Sequence, residues 1–125
     1  MAKEYINAAK GPAAVGPYVH AVKCGNTLHI SGQLGINPET GKLADGVEAQ
    51  AHQAMKNLGV ILNEAGMDYN DVVKTLIFLD DMGDFGKIND IYGSYFKQFP
   101  ARSCIEVAAL PMNGLFEVEA EAYKE

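Results

Sequence analysis

Phe99-Pro100-Ala101-Arg102-Ser103-Cys104-Ile105-Glu106-Val107-Ala108-Ala109-Leu110-Pro111 reads as a strand that begins just after one proline and ends before the next. Side chains alternate along a strand, so Arg102, Cys104 and Glu106 share one face while Ser103, Ile105 and Val107 share the other. A second strand follows at Leu115 to Ala122, sorting Glu117, Glu119 and Glu121 against Phe116, Val118, Ala120 and Ala122. If these two strands are neighbours, a guanidinium, a thiol and several carboxylates lie on one sheet face.

Working back toward the N-terminus, the spacing of Phe85, Ile88, Ile91, Tyr92, Tyr95 and Phe96 predicts a helix from about Asp84 to Lys97, ended by Pro100 and weakened by Gly86 and Gly93. Val72 to Asp80 is nearly continuous apolar sequence rich in branched residues, the pattern of a strand buried on both sides. Val47, Ala51, Met55, Leu58, Ile61, Leu62 and Ala65 recur at helical spacing, with Asp45 a candidate N-cap and Gly66 placed just past the end. Tyr18 to Lys23 and Thr27 to Leu34 form a predicted hairpin around Cys24-Gly25-Asn26. In its second arm Leu28, Ile30, Gly32 and Leu34 share one face and His29, Ser31 and Gln33 the other. Gly11 to Pro17 is a loop whose prolines place Tyr18 at the mouth of the first strand.

The order is strand, strand, helix, strand, helix, strand, strand. Two helices suffice for one face of a five- or six-stranded sheet. The other face is expected to carry Arg102, Cys104, Glu106, Glu117, Glu119, Ser31 and His29, together with apolar residues of the 72–80 strand. Those apolar residues would be wet in a monomer, so other copies of the chain are expected to cover them.

At 125 residues the chain is expected to be one domain that buries roughly 65 to 70% of its unfolded surface. Sixteen acidic residues against ten Lys and Arg give a net charge of −6, which argues against nonspecific binding to nucleic acid or anionic membrane. Cys24 and Cys104 lack metal-ligand spacing and follow no secretory leader, so reduced thiols in a cytoplasm-like compartment are expected. His20, His29 and His52 form no metal-ligand pattern, and the glycines are scattered through turns rather than gathered into a phosphate cradle.

The run Phe99 to Ala108, with Glu117 beyond it, Gly16-Pro17-Tyr18 near the start, Ser31-Gly32-Gln33 in the second strand and Asp84-Phe85 with Asn89 in the second helix, closely resembles the RidA/YjgF family of reactive intermediate deaminases. The likeness runs collinearly from about Pro12 to Ala122. It implies a chorismate-mutase-like α+β fold with a mixed, mainly antiparallel sheet of five to six strands and two helices on one face. It also implies a homotrimer with sites in the clefts between subunits and no cofactor. The implied activity is hydrolysis of enamine and imine intermediates such as 2-aminoacrylate and 2-aminocrotonate to 2-oxo acids and ammonia, downstream of pyridoxal-phosphate-dependent dehydratases.

The residue chemistry fits. A 2-imino acid presents a carboxylate beside an electrophilic C=N carbon, and the planar fork of Arg102 suits a bidentate grip on that carboxylate, worth roughly 1.5 to 3 kcal/mol per charged hydrogen bond. The plain alternative is an ion pair with Glu106. Attack by water needs a positioned acceptor and a proton shuttle. The resemblance assigns this role to Glu117, with Glu119 the alternative on the same face. For Cys104 it implies a backbone carbonyl that orients water rather than a sulfur nucleophile, and an inert thiol is the simpler reading. Tyr18 and Ser31 offer hydroxyls to the imine nitrogen or the carboxylate, or serve as capped structural hydroxyls. Gly32, Phe85 and Asn89 would line the cleft. A rival class is a noncatalytic trimer that binds 2-oxo acids as a sensor, which would keep Arg102 but not need the acidic residue.

Overall fold

Strands form where the sequence alternates or runs apolar, and helices where it repeats at 3.6. In the computed structural model, which describes residues 2–125, these are β1 (Lys3–Ile6), β2 (Ala21–Cys24), β3 (Thr27–Leu34), α1 (Val47–Glu64), β4 (Val72–Leu79), α2 (Phe85–Gly93), β5 (Ala101–Glu106) and β6 (Phe116–Tyr123). They make one six-stranded sheet in the order β1-β2-β3-β6-β4-β5, antiparallel throughout except for the parallel β4–β5 pair.

Both helices lie on one face. Leu28 and Ile30 of β3, Thr75, Ile77 and Leu79 of β4, and Phe116, Val118, Ala120 and Ala122 of β6 are buried there against Ala51, Met55, Leu58, Ile61 and Leu62 of α1 and Ile88 and Tyr92 of α2. Gly66, at φ 76°, closes α1: its N–H donates to Asn63 O and the Met67 N–H to Leu62 O, the Schellman pairing. The other end departs from expectation. Gly46, not Asp45, flanks the helix, at φ 87° and with no side-chain cap. Helix α2 is shorter than the predicted 84–97 segment: it ends at Gly93 with Ser94 as its C-cap, and Met82–Asp84 before it form a separate 3-10 turn capped by Asp81.

The buried polar residues of α1 fasten strand ends. Asn57 donates to the carbonyls of Leu34 and Ile36, while Gln50 donates to Ala44 O and accepts from the Leu115 N–H. A buried amide side chain is stable only when so satisfied, and here it fixes the ends of β3 and the entry to β6.

The sheet corrects three expectations. The first hairpin arm is Ala21–Cys24 rather than 18–23, which leaves Tyr18 in the preceding loop, and the additional edge strand β1 pairs with it. A bulge between Ile30 and Gln33 reverses the alternation of β3. Gln33 then pairs with Val118 on the helix side and Leu34 with Glu117 on the open side, opposite to simple period-two counting. Third, β5 and β6 are not neighbours. β4 lies between them, and its register sets Thr75 beside Arg102, Ile77 beside Cys104 and Leu79 beside Glu106. Paired residues point the same way, so Arg102, Cys104 and Glu106 face the helices rather than the open side with Glu117, Glu119, Ser31 and His29.

Candidate functional site

Two clusters result, one on each face. The first is built around Arg102 at the sheet edge. Its Nη1 donates to Asn89 Oδ1 at 2.8 Å, and its guanidinium carbon lies 5.4 Å from the centre of the Phe85 ring and 5.0 Å from that of Tyr92. Phe85, Asn89 and Tyr92 occupy positions i, i+4 and i+7 of α2 and share a helix face, so one helix supplies the whole cradle. Tyr92 is fixed from below: its hydroxyl lies 2.6 Å from Oγ1 of the fully buried Thr75, the β4 residue that pairs with Arg102. Burial pushes the Tyr92 hydroxyl above its ordinary pKa, against the Thr75 hydrogen bond and the Arg102 charge. A cavity of about 350 Å³ opens here between Asn89, Tyr92, Gly93, Phe99, Pro100 and Arg102. Phe99 stands 69% exposed at its rim.

Among the expected partners, Glu106 does not pair with Arg102; its carboxylate accepts from the Met82 N–H at 2.8 Å. Cys104 packs against the core as a free thiol, and burial raises its pKa while nearby Arg102 lowers it. A thiol held in its protonated form is a poor nucleophile.

The second cluster surrounds Glu117. It lines a cavity of about 430 Å³ together with Tyr18, Ser31 and Gly32, and with an apolar wall that includes Val15, Ile36 and Met112. The bulge brings the Gly32 backbone against the carboxylate: a Cβ on Gly32 would lie 2.7 Å from Glu117 Oε2. Only glycine leaves that space. Burial, and secondarily the charge of Glu119, pushes the Glu117 carboxyl above the usual carboxylate range. Its proton affinity is therefore tuned in the direction a proton shuttle needs. Ser31 Oγ donates to Val19 O at 2.7 Å, so its proton is engaged while its oxygen can still accept. Tyr18 is half-exposed and its hydroxyl oxygen accepts the Val15 N–H at 3.4 Å. Glu119 borders two other depressions with His29 rather than this cavity.

The far wall rests on strained backbone. Met112 and Asn113 have φ of 59° and 58°, a conformation disfavoured for side chains other than glycine, held by hydrogen bonds from Asn113 N–H to Leu110 O and from Gly114 N–H to Pro111 O. The sequence alone assigns no site role to this wall or to Tyr92, which it places only on the second helix. The Pro111-Met112-Asn113-Gly114 turn composition and the i+3 spacing of Tyr92 from Asn89 were the available signals. Among the described residues no group of three or more His, Cys, Asp and Glu side chains could hold a metal ion, and no helix is long and apolar enough to cross a membrane.

The family model "Endoribonuclease L-PSP" matches residues 8–124. The chain is 50% identical over 122 residues to a mouse protein named 2-iminobutanoate/2-iminopropanoate deaminase, covering 96% of this chain and 90% of that one. Among solved structures, RidA from the Antarctic bacterium Psychrobacter superposes with a TM-score of 0.95 at 45% identity, covering 97% of this chain and 99% of that one. Escherichia coli TdcF with bound serine superposes with a TM-score of 0.95 at 35% identity, covering 98% and 99%. A family match over nearly the whole sequence and a superposition of nearly the whole fold agree, and the chain belongs to the Endoribonuclease L-PSP family, the group of RidA and YjgF.

Proposed function

We propose that this chain hydrolyses 2-imino acids and their enamine tautomers, such as 2-aminoacrylate and 2-aminocrotonate, to 2-oxo acids and ammonia. The reading rests on the roughly 50% identity to the mouse 2-iminobutanoate/2-iminopropanoate deaminase. The observation that carries it at the residue level is the cradle of Arg102. One N–H is spent on Asn89 and two rings support the guanidinium, leaving its other donors for a carboxylate. The serine bound by TdcF carries a carboxylate with nitrogen on the adjacent carbon, the same two polar groups that a 2-imino acid presents.

In this reading Arg102 grips the carboxylate and Glu117 holds the attacking water. Water adds to the carbon of the protonated imine as its proton passes to Glu117, giving a carbinolamine. Glu117 returns that proton to the carbinolamine nitrogen, the C–N bond breaks as ammonia leaves, and the hydroxyl proton passes to Glu117 as the carbonyl forms. No electrons are exchanged and no cofactor is required. The backbone carbonyl of Cys104 serves to orient water, Ser31 and Tyr18 meet the substrate's polar atoms, Gly32 makes room, and Phe85 and Asn89 act through Arg102.

Arg102 and Glu117 lie on opposite faces of one sheet, so a single copy cannot present both to a four-carbon ligand. We propose a homotrimer in which the Arg102 edge of one subunit meets the Glu117 cavity of the next, with residues 1–125 acting as one domain. The half-open Leu76 and Phe78 and the exposed Ile105, on the uncovered face, supply apolar surface for that contact. Two free cysteines suit a reducing, cytoplasmic setting, downstream of pyridoxal-phosphate-dependent dehydratases that release such imines.

The test is a coupled assay that generates 2-aminoacrylate in situ and traps it with semicarbazide. Less trapped imine and faster 2-oxo acid release, both lost in Arg102→Ala, are the expected results. No effect across several imino acids would favour a noncatalytic carboxylate-binding protein instead.

A further inference from the structure

His20 lies where the N-terminal loop meets β3 and is 4% exposed. Both ring nitrogens are engaged. The Ala8 N–H donates to Nδ1 at 3.0 Å, and Nε2 lies 2.6 Å from the Pro12 carbonyl oxygen. An amide N–H only donates and a carbonyl only accepts, so the ring is the neutral tautomer with its proton on Nε2. The His20 backbone adds two bonds, its N–H donating to Asn7 Oδ1 at 3.2 Å and its carbonyl accepting the Ser31 N–H at 2.9 Å. Among the described residues no other side chain hydrogen-bonds the 8–12 segment to the sheet. That segment leads into Ala13, Val15 and Tyr18, the loop wall of the Glu117 cavity.

We propose that His20 is a positioning residue of the site: as a neutral imidazole it clamps residues 8–12 to the sheet and so sets the place of Tyr18 and the wall facing Glu117.

His20→Gln and His20→Leu test the clamp. A carboxamide both accepts and donates, so it can keep both bonds, whereas leucine fills space and does neither. The activity arm rests on the deaminase reading: KM and kcat for in-situ imine are measured at pH 8, where His20→Gln is expected within about threefold of wild type, whereas His20→Leu raises KM about tenfold with kcat little changed. Hydrogen exchange supplies an arm independent of turnover: protection of the Ala8 amide holds in His20→Gln and falls at least about tenfold in His20→Leu. Wild-type protection of the Ala8 amide in His20→Leu would overturn the clamp, as would His20→Leu matching wild type in KM. A wild type without imine hydrolysis would sink the deaminase reading, leaving the exchange arm to judge the clamp.

Discussion

A guanidinium laid across two aromatic rings and tied to one amide keeps its charge while losing its freedom to swing, so less entropy remains to be lost when a carboxylate arrives. The arrangement separates what each neighbour of Arg102 does. Arg102→Lys keeps a charge without the planar fork and is expected to lose about tenfold in kcat/KM, and Arg102→Ala about a hundredfold, measured by imine trapping. Tyr92→Phe keeps the ring beneath the guanidinium but strands the Thr75 hydroxyl, which the structure buries completely. It should cost about 1 to 2 kcal/mol of stability in denaturant unfolding and leave KM unchanged, whereas Tyr92→Leu should raise KM. Glu117 carries the opposite tension. Its carboxyl is raised by burial and then by Glu119, so the folded state holds the proton more tightly than the unfolded state does. Ionising it therefore lowers stability as pH climbs from the ordinary carboxylate value through the raised one. Glu117→Gln should melt slightly higher than wild type at pH 7 and equal to it below pH 4, while losing at least a hundredfold in kcat. Equal melting at both pH values would show that the site imposes no desolvation cost on the carboxylate.

At the scale of strands the bulge at Ser31-Gly32 does two things at once: it turns Leu34 toward Glu117 and admits the carboxylate into the space a Cβ would fill. The clash in Gly32→Ala falls on the far end of a flexible side chain, so Glu117 should swing away rather than the strands part. Activity is then expected to fall at least tenfold with a change in melting temperature of only about 1 to 2 °C. A large loss of stability would instead mean that the backbone yields. That bulge also marks where sequence reasoning stops. Alternation correctly grouped Arg102 with Cys104 and Glu106, and Glu117 with Glu119 and Glu121, because period two is a property of one strand. Which side of the sheet each group faces is a property of pairing, and nothing within β5 announces that it docks in parallel on β4 with Arg102 beside the buried Thr75. The long helix was legible from its 3.6 repeat and from Gly66. Its start was not, since Gly46 enters at φ 87° without a capping side chain while Asp45 carries the residue type that caps usually have. The four-residue β1, three of its residues exposed, has no buried alternation to betray it.

On the scale of the whole molecule, the proposed site makes a demand that no single chain meets. Arg102, the proposed carboxylate grip, sits at the β5 edge beneath α2, and Glu117, the proposed acid, sits on the open face under the N-terminal loop; under the proposal, uniting them takes two subunits, the Arg102 cluster of one against the Glu117 cavity of another. The proposed closed ring of three would satisfy this by giving every subunit one edge and one cavity in use, with no unpaired end. Mixing two dead variants tests the arrangement directly. Arg102→Ala keeps a sound cavity and Glu117→Gln keeps a sound edge, so neither homo-oligomer has a complete site. After unfolding and refolding together in equal amounts, random assembly places an intact edge against an intact cavity in about one quarter of the sites, and activity should recover to about a quarter of wild type. Simple mixing without subunit exchange should recover nothing. If each site were built within one chain, every site in every mixture would lack one group, and co-refolding would leave the preparation as inactive as its parents.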